Sequence, residues 1–242
     1  MRIHFLRPAL VPASVFALLA ICAVLATSSA QAAPIVVDNF SFESPVVPTG
    51  QGYIGSPSLG GWNYVNAGGS FDYVQVFDPS LPAVSGVTEG NQYYGMYQTA
   101  STTRVFQDTG VAWAPNTVYS LSIAFGNRNP SENIGATSIY GLSTDNTAGN
   151  ILGTAGMIDT NTIAQEDWET FAYTYTTGAV APLGNIFIVA TKEGNAAAAR
   201  VQIDNVQLDA SAVPLPPAPE PASLVLILGG LVFAVRSRKH RV

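Results

Sequence analysis

The chain has 242 residues, a formal net charge of −6 and a hydrophobic content of 48%. Between residues 33 and 210 the basic side chains are Arg104, Arg128, Lys192 and Arg200, against all sixteen acidic residues of the chain except Glu220. This acidity disfavours nucleic acid and anionic membrane surfaces as partners. It suits calcium, which prefers oxygen ligands.

Histidine and cysteine occur only near the two ends of the chain, as His4, Cys22 and His240. The region between them therefore has no Ser-His-Asp or Cys-His catalysis, no zinc site built from those residues and no disulfide. The enzymatic options that remain depend on paired carboxylates, or on tyrosine and lysine as acid and base.

The amino end has the pattern of a secretory signal peptide. Arg2 and Arg7 precede an apolar stretch over residues 11–26, and Ala30-Gln31-Ala32 supplies small residues for cleavage. We therefore predict a signal peptide over residues 1–32 that is cut after Ala32. A lipoprotein box at Cys22 is the alternative, but the residue before that cysteine, Ile21, is not small.

The region 33–210 shows period-two patterning almost throughout. Residues 119, 121, 123 and 125 are apolar or aromatic and alternate with small side chains, and residues 171–176 repeat the pattern. Such alternation predicts half-buried antiparallel strands and an all-β fold, a jelly-roll β-sandwich domain over 33–210. The further strand candidates are 35–42, 61–65, 71–77, 93–98, 103–107, 137–142, 185–191 and 200–208.

Two segments at the ends of this region suggest a kinship. Asp38-Asn39-Phe40-Ser41-Phe42-Glu43 stands near its start, and Val201-Gln202-Ile203-Asp204-Asn205-Val206 near its end. They resemble the opening and closing strands of the galactose-binding-like jelly rolls found in carbohydrate-binding modules. The resemblance implies that the two strands meet and that a structural calcium ion binds there, with Glu43 and Asp204 as its ligands.

The closing segment also carries a local signal of its own. Val201 and Ile203 occupy odd positions, whereas Val206 and Leu208 occupy even ones. This change of phase predicts a β-bulge at Asp204-Asn205, which would redirect the Asp204 carboxylate. The alternative is an Asp204 that faces solvent or caps a turn, with Glu43 on an exposed strand end.

A glycan site would use aromatic faces against sugar rings. Trp62 after Gly60-Gly61, and Tyr53 among glycines, are the candidate ligand-binding residues. We expect most of the other aromatic side chains, including Tyr93, Tyr94 and Trp168, to lie in the core.

The densest acidic cluster, Glu166, Asp167 and Glu169, is the candidate for catalysis, although such clusters are usually solvated.

The carboxyl end has three consecutive elements. A proline-rich linker over 211–221 contains Pro219-Glu220-Pro221, an uncharged apolar run covers 222–235, and a basic tail covers 236–242. Together these three elements resemble a PEP-CTERM sorting signal. That resemblance implies processing by an exosortase and an envelope rich in exopolysaccharide. A permanent membrane anchor is the alternative, but a helix over 222–235 reaches only about 21 Å, against a hydrocarbon core of about 30 Å.

The sequence thus predicts an exported protein of a Gram-negative-type bacterium. Its transmembrane helix 222–235 would hold it transiently in the inner membrane, with a cytoplasmic tail, before delivery to the cell surface or extracellular matrix. We expect a non-enzymatic β-sandwich there, with a possible glycan-binding role in the exopolysaccharide of a biofilm. A carboxylate-dependent enzyme acting on that polysaccharide and a purely structural matrix module are the alternatives.

Overall fold

The computed structural model describes residues 31–48, 52–54, 59–65, 73–78, 88–97, 103–127, 134–193 and 199–213. Residues Gln31–Val213 form one compact unit. The predicted signal peptide, apart from residues 31 and 32, lies outside the described residues. The same holds for the Pro219-Glu220-Pro221 motif and the predicted helix 222–235.

The described residues form thirteen strands and no α-helix. The strands are β1 (Ala33–Ile35), β2 (Gly52–Ile54), β3 (Asn63–Val65), β4 (Tyr73–Phe77), β5 (Tyr93–Tyr97), β6 (Thr103–Ala112), β7 (Thr117–Gly126), β8 (Ile134–Gly135), β9 (Thr137–Ser143), β10 (Gly156–Asp159), β11 (Trp168–Thr176), β12 (Asn185–Lys192) and β13 (Ala199–Ala212). Two short 3-10 turns cover Ala148–Asn150 and Thr160–Thr162. No helix in this part of the chain is long and apolar enough to cross a membrane.

The strands build two sheets. The first has eight strands, in the order β11-β7-β13-β5-β4-β2, with β1 and β8 also paired to β13. The second has five, in the order β10-β9-β12-β6-β3. All pairings among these strands are antiparallel except that of β8 with β13. The predicted all-β sandwich of two antiparallel sheets is confirmed.

The core lies between the two sheets because alternate side chains of each strand point inward. Leu121 and Ile123 of β7 and Ile186 and Ile188 of β12 are at most 1% exposed, and all belong to one hydrophobic cluster. Burying each such side chain contributes about 1.5–3 kcal/mol. The odd-numbered pattern of 119–125 therefore identifies the core face of β7 correctly.

One predicted strand is wrong. Instead of continuing over 35–42, β1 ends at Ile35, and residues 38–41 form a turn. Asn39 and Phe42 have φ angles of 48° and 57°, which an extended strand does not allow. The Phe42 ring is fully buried against Trp62 at 5.3 Å and Tyr94 at 5.0 Å. The alternating apolar residues of this segment therefore belong to a turn, which places the Phe42 ring in the core.

Hydrogen bonds from several elements fix this turn. The buried Gln107 side chain accepts from the Asp38 backbone N–H and donates to the Asp38 carbonyl, both at 2.8 Å. The Asn39 side chain accepts from the Ser44 N–H and donates to the carbonyls of Ser44 and Leu59. These contacts satisfy backbone groups that have no strand partner.

The predicted β-bulge in β13 is confirmed. The register of β13 with β7 shifts between Asp204 and Gln207, and Asn205 has a φ of 46°. The Val206 N–H donates to the Phe40 carbonyl at 2.9 Å, which ties the bulge to the first turn. The opening and closing segments of the domain therefore meet, as the resemblance implies.

We predict that Asn39→Ala destabilises the fold by on the order of 2 kcal/mol. The substitution removes three hydrogen bonds, and alanine tolerates the positive φ of this position less well than asparagine does. Asn39→Gly should cost less, since glycine keeps the backbone conformation. Urea unfolding measures both variants. Asn63→Ala on the exposed side of β3 is the control, and an Asn39→Ala loss no larger than that of the control would contradict the prediction.

Candidate functional site

The outer face of the first sheet, away from the core, carries a buried patch at one end. Ala124 and Gly126 of β7 lie beside Asp204 and Gln202 of β13, with Tyr93 on the neighbouring β5. Farther along the same face Ser120 and Gln207 are exposed, whereas Gln202 and Asp204 are at most 1% exposed. We call Phe77, Tyr93, Ala124, Gly126, Trp168, Gln202 and Asp204 the outer patch.

Three aromatic rings form one side of the outer patch. Phe77 and Tyr93 stack with centroids 5.3 Å apart, and Trp168 meets Tyr93 edge-on at 5.5 Å. Trp168 lies over Gly126, where a β-carbon would come within 3.0 Å of the indole ring. A glycine at this position therefore allows the close approach of the partly exposed Trp168 to β7.

Gln202 lies between two glycines in the sheet. Gly95 is its partner on β5 and Gly126 its partner on β7, so neither adjacent strand places a side chain beside it. Gln202 is 1% exposed, and its Nε2 has no hydrogen-bond partner. A buried donor without an acceptor is costly and is often found where a ligand supplies the missing contact.

Asp204 is the fully buried carboxyl of the outer patch. Its Oδ2 accepts from the Thr88 N–H at 2.9 Å, the Thr88 hydroxyl at 2.8 Å and the Glu89 N–H at 3.2 Å. Burial raises the pKa of Asp204 from 3.8 to about 6, and these hydrogen bonds partly offset the effect. At mildly acidic pH this side chain can therefore hold a proton that an exposed aspartate would have lost.

Glu43 binds the other end of the short segment 88–92, whose first two residues donate to Asp204. Its Oε1 accepts from the backbone N–H groups of Asn91 and Gln92, each at 2.8 Å. A β-carbon on Gly90 would lie 2.3 Å from that oxygen, so the close approach requires glycine. Residues 88–92 are thus fixed between the carboxylates of Glu43 and Asp204.

These two carboxylates are the predicted calcium ligands. Backbone N–H groups occupy Oε1 of Glu43 and Oδ2 of Asp204, and the described residues contain no group of three acidic, histidine or cysteine side chains able to hold a metal ion. An ion bound between them would need carbonyl, hydroxyl or water oxygens as its other ligands. Calcium binding at this place stays a prediction.

The other predicted residues are dispersed. Tyr53 belongs to β2 and pairs with Val76 of β4, on the edge of the first sheet. Trp62 is 1% exposed, packs on Phe42 and donates from Nε1 to the Asn39 carbonyl at 3.3 Å. It occupies a core position, and ligand contact by either residue stays a prediction.

The acidic cluster lies at the start of β11. Asp167 and Glu169 are exposed, and the Asp167 carboxylate accepts from the Trp168 N–H at 2.8 Å. Neither is buried as Asp204 is.

Sequence reasoning named Asp204 for a different role and missed Gln202 altogether. The available signal for Gln202 is its place two residues before Asp204, which puts both side chains on one face of a strand.

The comparisons with known proteins point to one family. The sequence profile of the family described as HpiC1-like, HpiC1 cyclase, matches residues 33–209. A search of curated proteins finds no match.

Solved structures of cyclases from Fischerella show a similar fold. An apo cyclase from Fischerella sp. has a TM-score of 0.63 at 22% identity and is matched over 79% of this chain and 100% of its own. A Stig cyclase from Fischerella sp. TAU, in complex with (3Z)-3-(1-methyl-2-pyrrolidinylidene)-3H-indole, gives 0.62 at 21% identity over 78% and 100%. A further cyclase from Fischerella sp. TAU, in complex with 4-(1H-indol-3-yl)butan-2-one, gives 0.61 at 20% identity over 76% and 100%.

The family match corrects several predictions. Assignment to PEP-CTERM proteins is wrong, and so is the function predicted from it, a non-enzymatic, exosortase-sorted matrix protein. The match is to a family of cyclases, which are enzymes, so exosortase and exopolysaccharide are also wrong as partners. The predicted transmembrane helix 222–235 lies outside the described residues, and none of the helices among those residues could span a membrane.

The shifted pKa of Asp204 predicts a pH dependence of stability. Between pH of about 4 and 6 the folded chain holds a proton that the unfolded chain has lost. The free energy of unfolding should therefore fall as the pH rises through this window, by up to about 3 kcal/mol from this one group. Urea unfolding of the wild type and of Asp204→Asn in EDTA, at several pH values, measures the effect.

The free energy of unfolding of the wild type minus that of Asp204→Asn should fall as the pH rises through this window. Asp209→Asn should show the same pH dependence as the wild type. Asp209 is a suitable control because it lies on the same strand and faces the same side, opposite Ser120, but is partly exposed. If the wild type and Asp204→Asn differ in free energy of unfolding by the same amount at every pH, the raised pKa is contradicted.

Proposed function

The chain belongs to the HpiC1 cyclase family, and we propose that it closes a ring in a small, electron-rich aromatic substrate bound at the outer patch. The observation that carries this proposal is the buried carboxyl of Asp204 on the same face of the sheet as three mutually packed aromatic rings. Two cyclases of similar fold hold compounds with an indole or indole-derived ring. An indole-bearing substrate is therefore the first class to test.

Asp204 is suited to act as the acid. With its pKa near 6 it donates a proton more readily than an exposed tyrosine or lysine, yet it retains that proton at higher pH than an exposed aspartate. Proton transfer to a basic or unsaturated atom makes the substrate cationic, and ring closure follows. Loss of a proton from the cyclised product to the Asp204 carboxylate restores the acid, so the reaction needs no net supply of protons.

The surrounding residues have complementary roles. Trp168 is partly exposed, and its ring face can attract a cation and stack against a flat ring. The Gln202 Nε2, which has no acceptor in the structure, can donate to an oxygen or nitrogen of the substrate and fix its orientation. The hydrogen bonds from Thr88 and Glu89 hold the Asp204 carboxyl in one position during the proton transfer.

We predict that Asp204→Asn lowers the rate of cyclisation at least about 100-fold, because general acid catalysis typically contributes that much or more. The assay incubates the full chain with a panel of indoles that carry an unsaturated side chain, and chromatography detects a product of unchanged mass. Asp209→Asn is the matched control and should keep the wild-type rate.

A binding measurement separates loss of chemistry from loss of the site. Calorimetric titration with 4-(1H-indol-3-yl)butan-2-one should give similar affinity for the wild type and Asp204→Asn, and weaker affinity for Trp168→Leu. Cyclisation by Asp204→Asn at the wild-type rate would rule out Asp204 as the acid. Failure of the wild type to bind the probe and to cyclise any of the indoles would overturn the proposed substrate class.

The calcium site remains a second proposal for the same residues. Glu43 and Asp204 flank residues 88–92, and an ion there would hold the opening turn against the bulge. A carboxyl group that ligates a metal ion must be ionised, so calcium binding to Asp204 and an acid role for it exclude each other.

If calcium binds, EDTA should lower the Tm of the full chain by several degrees and Glu43→Gln should remove the difference, because a bound ion stabilises only the folded state. Glu89→Gln is the control, since that side chain is exposed on the same segment. An unchanged Tm together with no calcium by elemental analysis would contradict the calcium site and leave Asp204 free to act as the acid.

The finer topology and the export of the chain are also proposals. A jelly-roll arrangement is supported by the strand order, in which β13 separates β7 from β5 in one sheet and β12 separates β9 from β6 in the other. Export is supported by the pattern of residues 1–32, with its basic start, apolar stretch and small residues before Ala33.

A further inference from the structure

The first sheet ends in a long edge strand. The terminal strands are β11 and β2 in the first sheet, and β10 and β3 in the second. Whereas β2, β3 and β10 span only three or four residues, β11 covers nine, Trp168–Thr176. It pairs with β7 over its whole length without a shift of register. Its other side is therefore a regular strand edge to which no strand pairs among the described residues.

The hydrogen bonds at the two ends of β11 show which backbone groups face this free edge. The Asp167 carbonyl accepts from the Asn127 N–H at 3.1 Å, and the Thr177 N–H donates to the Thr117 carbonyl at 2.9 Å. Odd-numbered residues thus bond towards β7, and because an antiparallel strand alternates sides, even-numbered residues face the edge. The even-numbered residues that follow Trp168 are Thr170, Ala172, Thr174 and Thr176. Consistently, the Ala172 carbonyl accepts from the hydroxyl of Tyr140, on the second sheet, at 3.4 Å.

The strand lacks the features that usually protect a sheet edge. Edge strands are commonly short, or carry lysine, proline or a bulge. In β11 the one charged residue is Glu169, and the edge-facing residues after Trp168 are threonines and an alanine, all exposed. On the core side, Phe171 and Tyr175 pack against the hydrophobic core but remain partly exposed. A neighbouring strand would satisfy the free backbone groups and cover these rings.

We infer that β11 pairs with β11 of a second copy of the chain, antiparallel, about a two-fold axis at Ala172. A two-fold interface places the same surface of each copy against the other, so the strand must be complementary to itself. With the axis at Ala172, Thr170 lies opposite Thr174 of the partner subunit, and Phe171 lies opposite Tyr173 of the partner subunit. Threonine pairs and aromatic pairs directly across a sheet are both favourable.

The charge of the strand favours the same register. The two Glu169 carboxylates would lie about six residues, or roughly 20 Å, apart along the interface. This exceeds the Debye length of about 8 Å at physiological ionic strength, so they repel each other weakly. A parallel pairing would instead bring them together. The antiparallel register also places Thr176 of the partner subunit beside Trp168, so each copy borders the outer patch of the other.

Sedimentation equilibrium of the full chain, over about 1–100 µM, measures the association without any substrate and so does not depend on the proposed cyclase activity. The wild type should pass from monomer to dimer. Ala172→Lys should raise the Kd of the dimer at least about 10-fold, because two like charges would face each other at the axis. Ala172 is exposed, so this variant should keep the wild-type Tm.

Ser120→Lys is the matched control, since Ser120 is exposed on the same face of the sheet but belongs to β7. It should dimerise as the wild type does. A monomeric wild type, or equal Kd values for the wild type and Ala172→Lys, would overturn the inference. So would an equal loss of dimer in Ser120→Lys, which would show association through the sheet face.

Disulfide formation tests the register. Cys22 is the only cysteine of the chain, so the variants are made with Cys22→Ser. Ala172→Cys should give a covalent dimer under mild oxidation, because the Cα atoms of such a pair lie about 5.5 Å apart. Thr176→Cys is the control, since the two side chains would be roughly 27 Å apart and out of reach. A covalent dimer of Thr176→Cys but not of Ala172→Cys would overturn the antiparallel pairing.

Discussion

The hydrogen bond between the Val206 N–H and the Phe40 carbonyl joins the two ends of the domain, and the outer patch depends on it. The turn around Asn39 places Phe42 in the core and leaves the Phe40 carbonyl facing β13. The bulge at Asn205 brings Val206 to that carbonyl and keeps Asp204 on the outer face beside Ala124. Without the bulge, the side chains on one side of it would point to the wrong face of the sheet.

The two carboxyls of this region, Glu43 and Asp204, have different environments, and their chemistry differs accordingly. Glu43 contacts backbone N–H groups from a partly exposed position, whereas Asp204 is fully buried and its pKa is raised despite its hydrogen bonds. Burial disfavours the ionised form more than the available donors favour it. The Gln202 side chain, between the glycines at 95 and 126, lies on the same face of the strand as this carboxyl.

Much of the fold follows from the sequence. Alternation identified the core face of β7, and the change of phase between Ile203 and Val206 located the bulge. The turn at 38–41 was missed because its aromatic residues alternate as in a strand, while the deciding features are positive φ angles and the distant side chain of Gln107. Local patterns carry no information on a contact between residues 38 and 107.

The site was harder to predict than the fold. Asp204 was named as a calcium ligand because of a resemblance, but its pKa is raised by burial, and the donors that bind its carboxyl, Thr88 and Glu89, are far away in sequence. Gln202 is an ordinary residue in the sequence, and only its strand partners reveal that it lies between two glycines. The absence of histidine and cysteine from residues 33–210 does not argue against an enzyme, because the proposed acid-promoted cyclisation requires neither.

The most direct test of the central claim is the carboxyl 13C chemical shift of Asp204, followed by NMR as a function of pH in EDTA. The assignment comes from comparison with Asp204→Asn. If Asp204 is a buried acid poised for proton transfer, its resonance should titrate with a pKa near 6, well above the ordinary value of 3.8. A midpoint at or below 3.8 would show that the carboxyl is ionised at working pH, and would contradict its role as the proton donor.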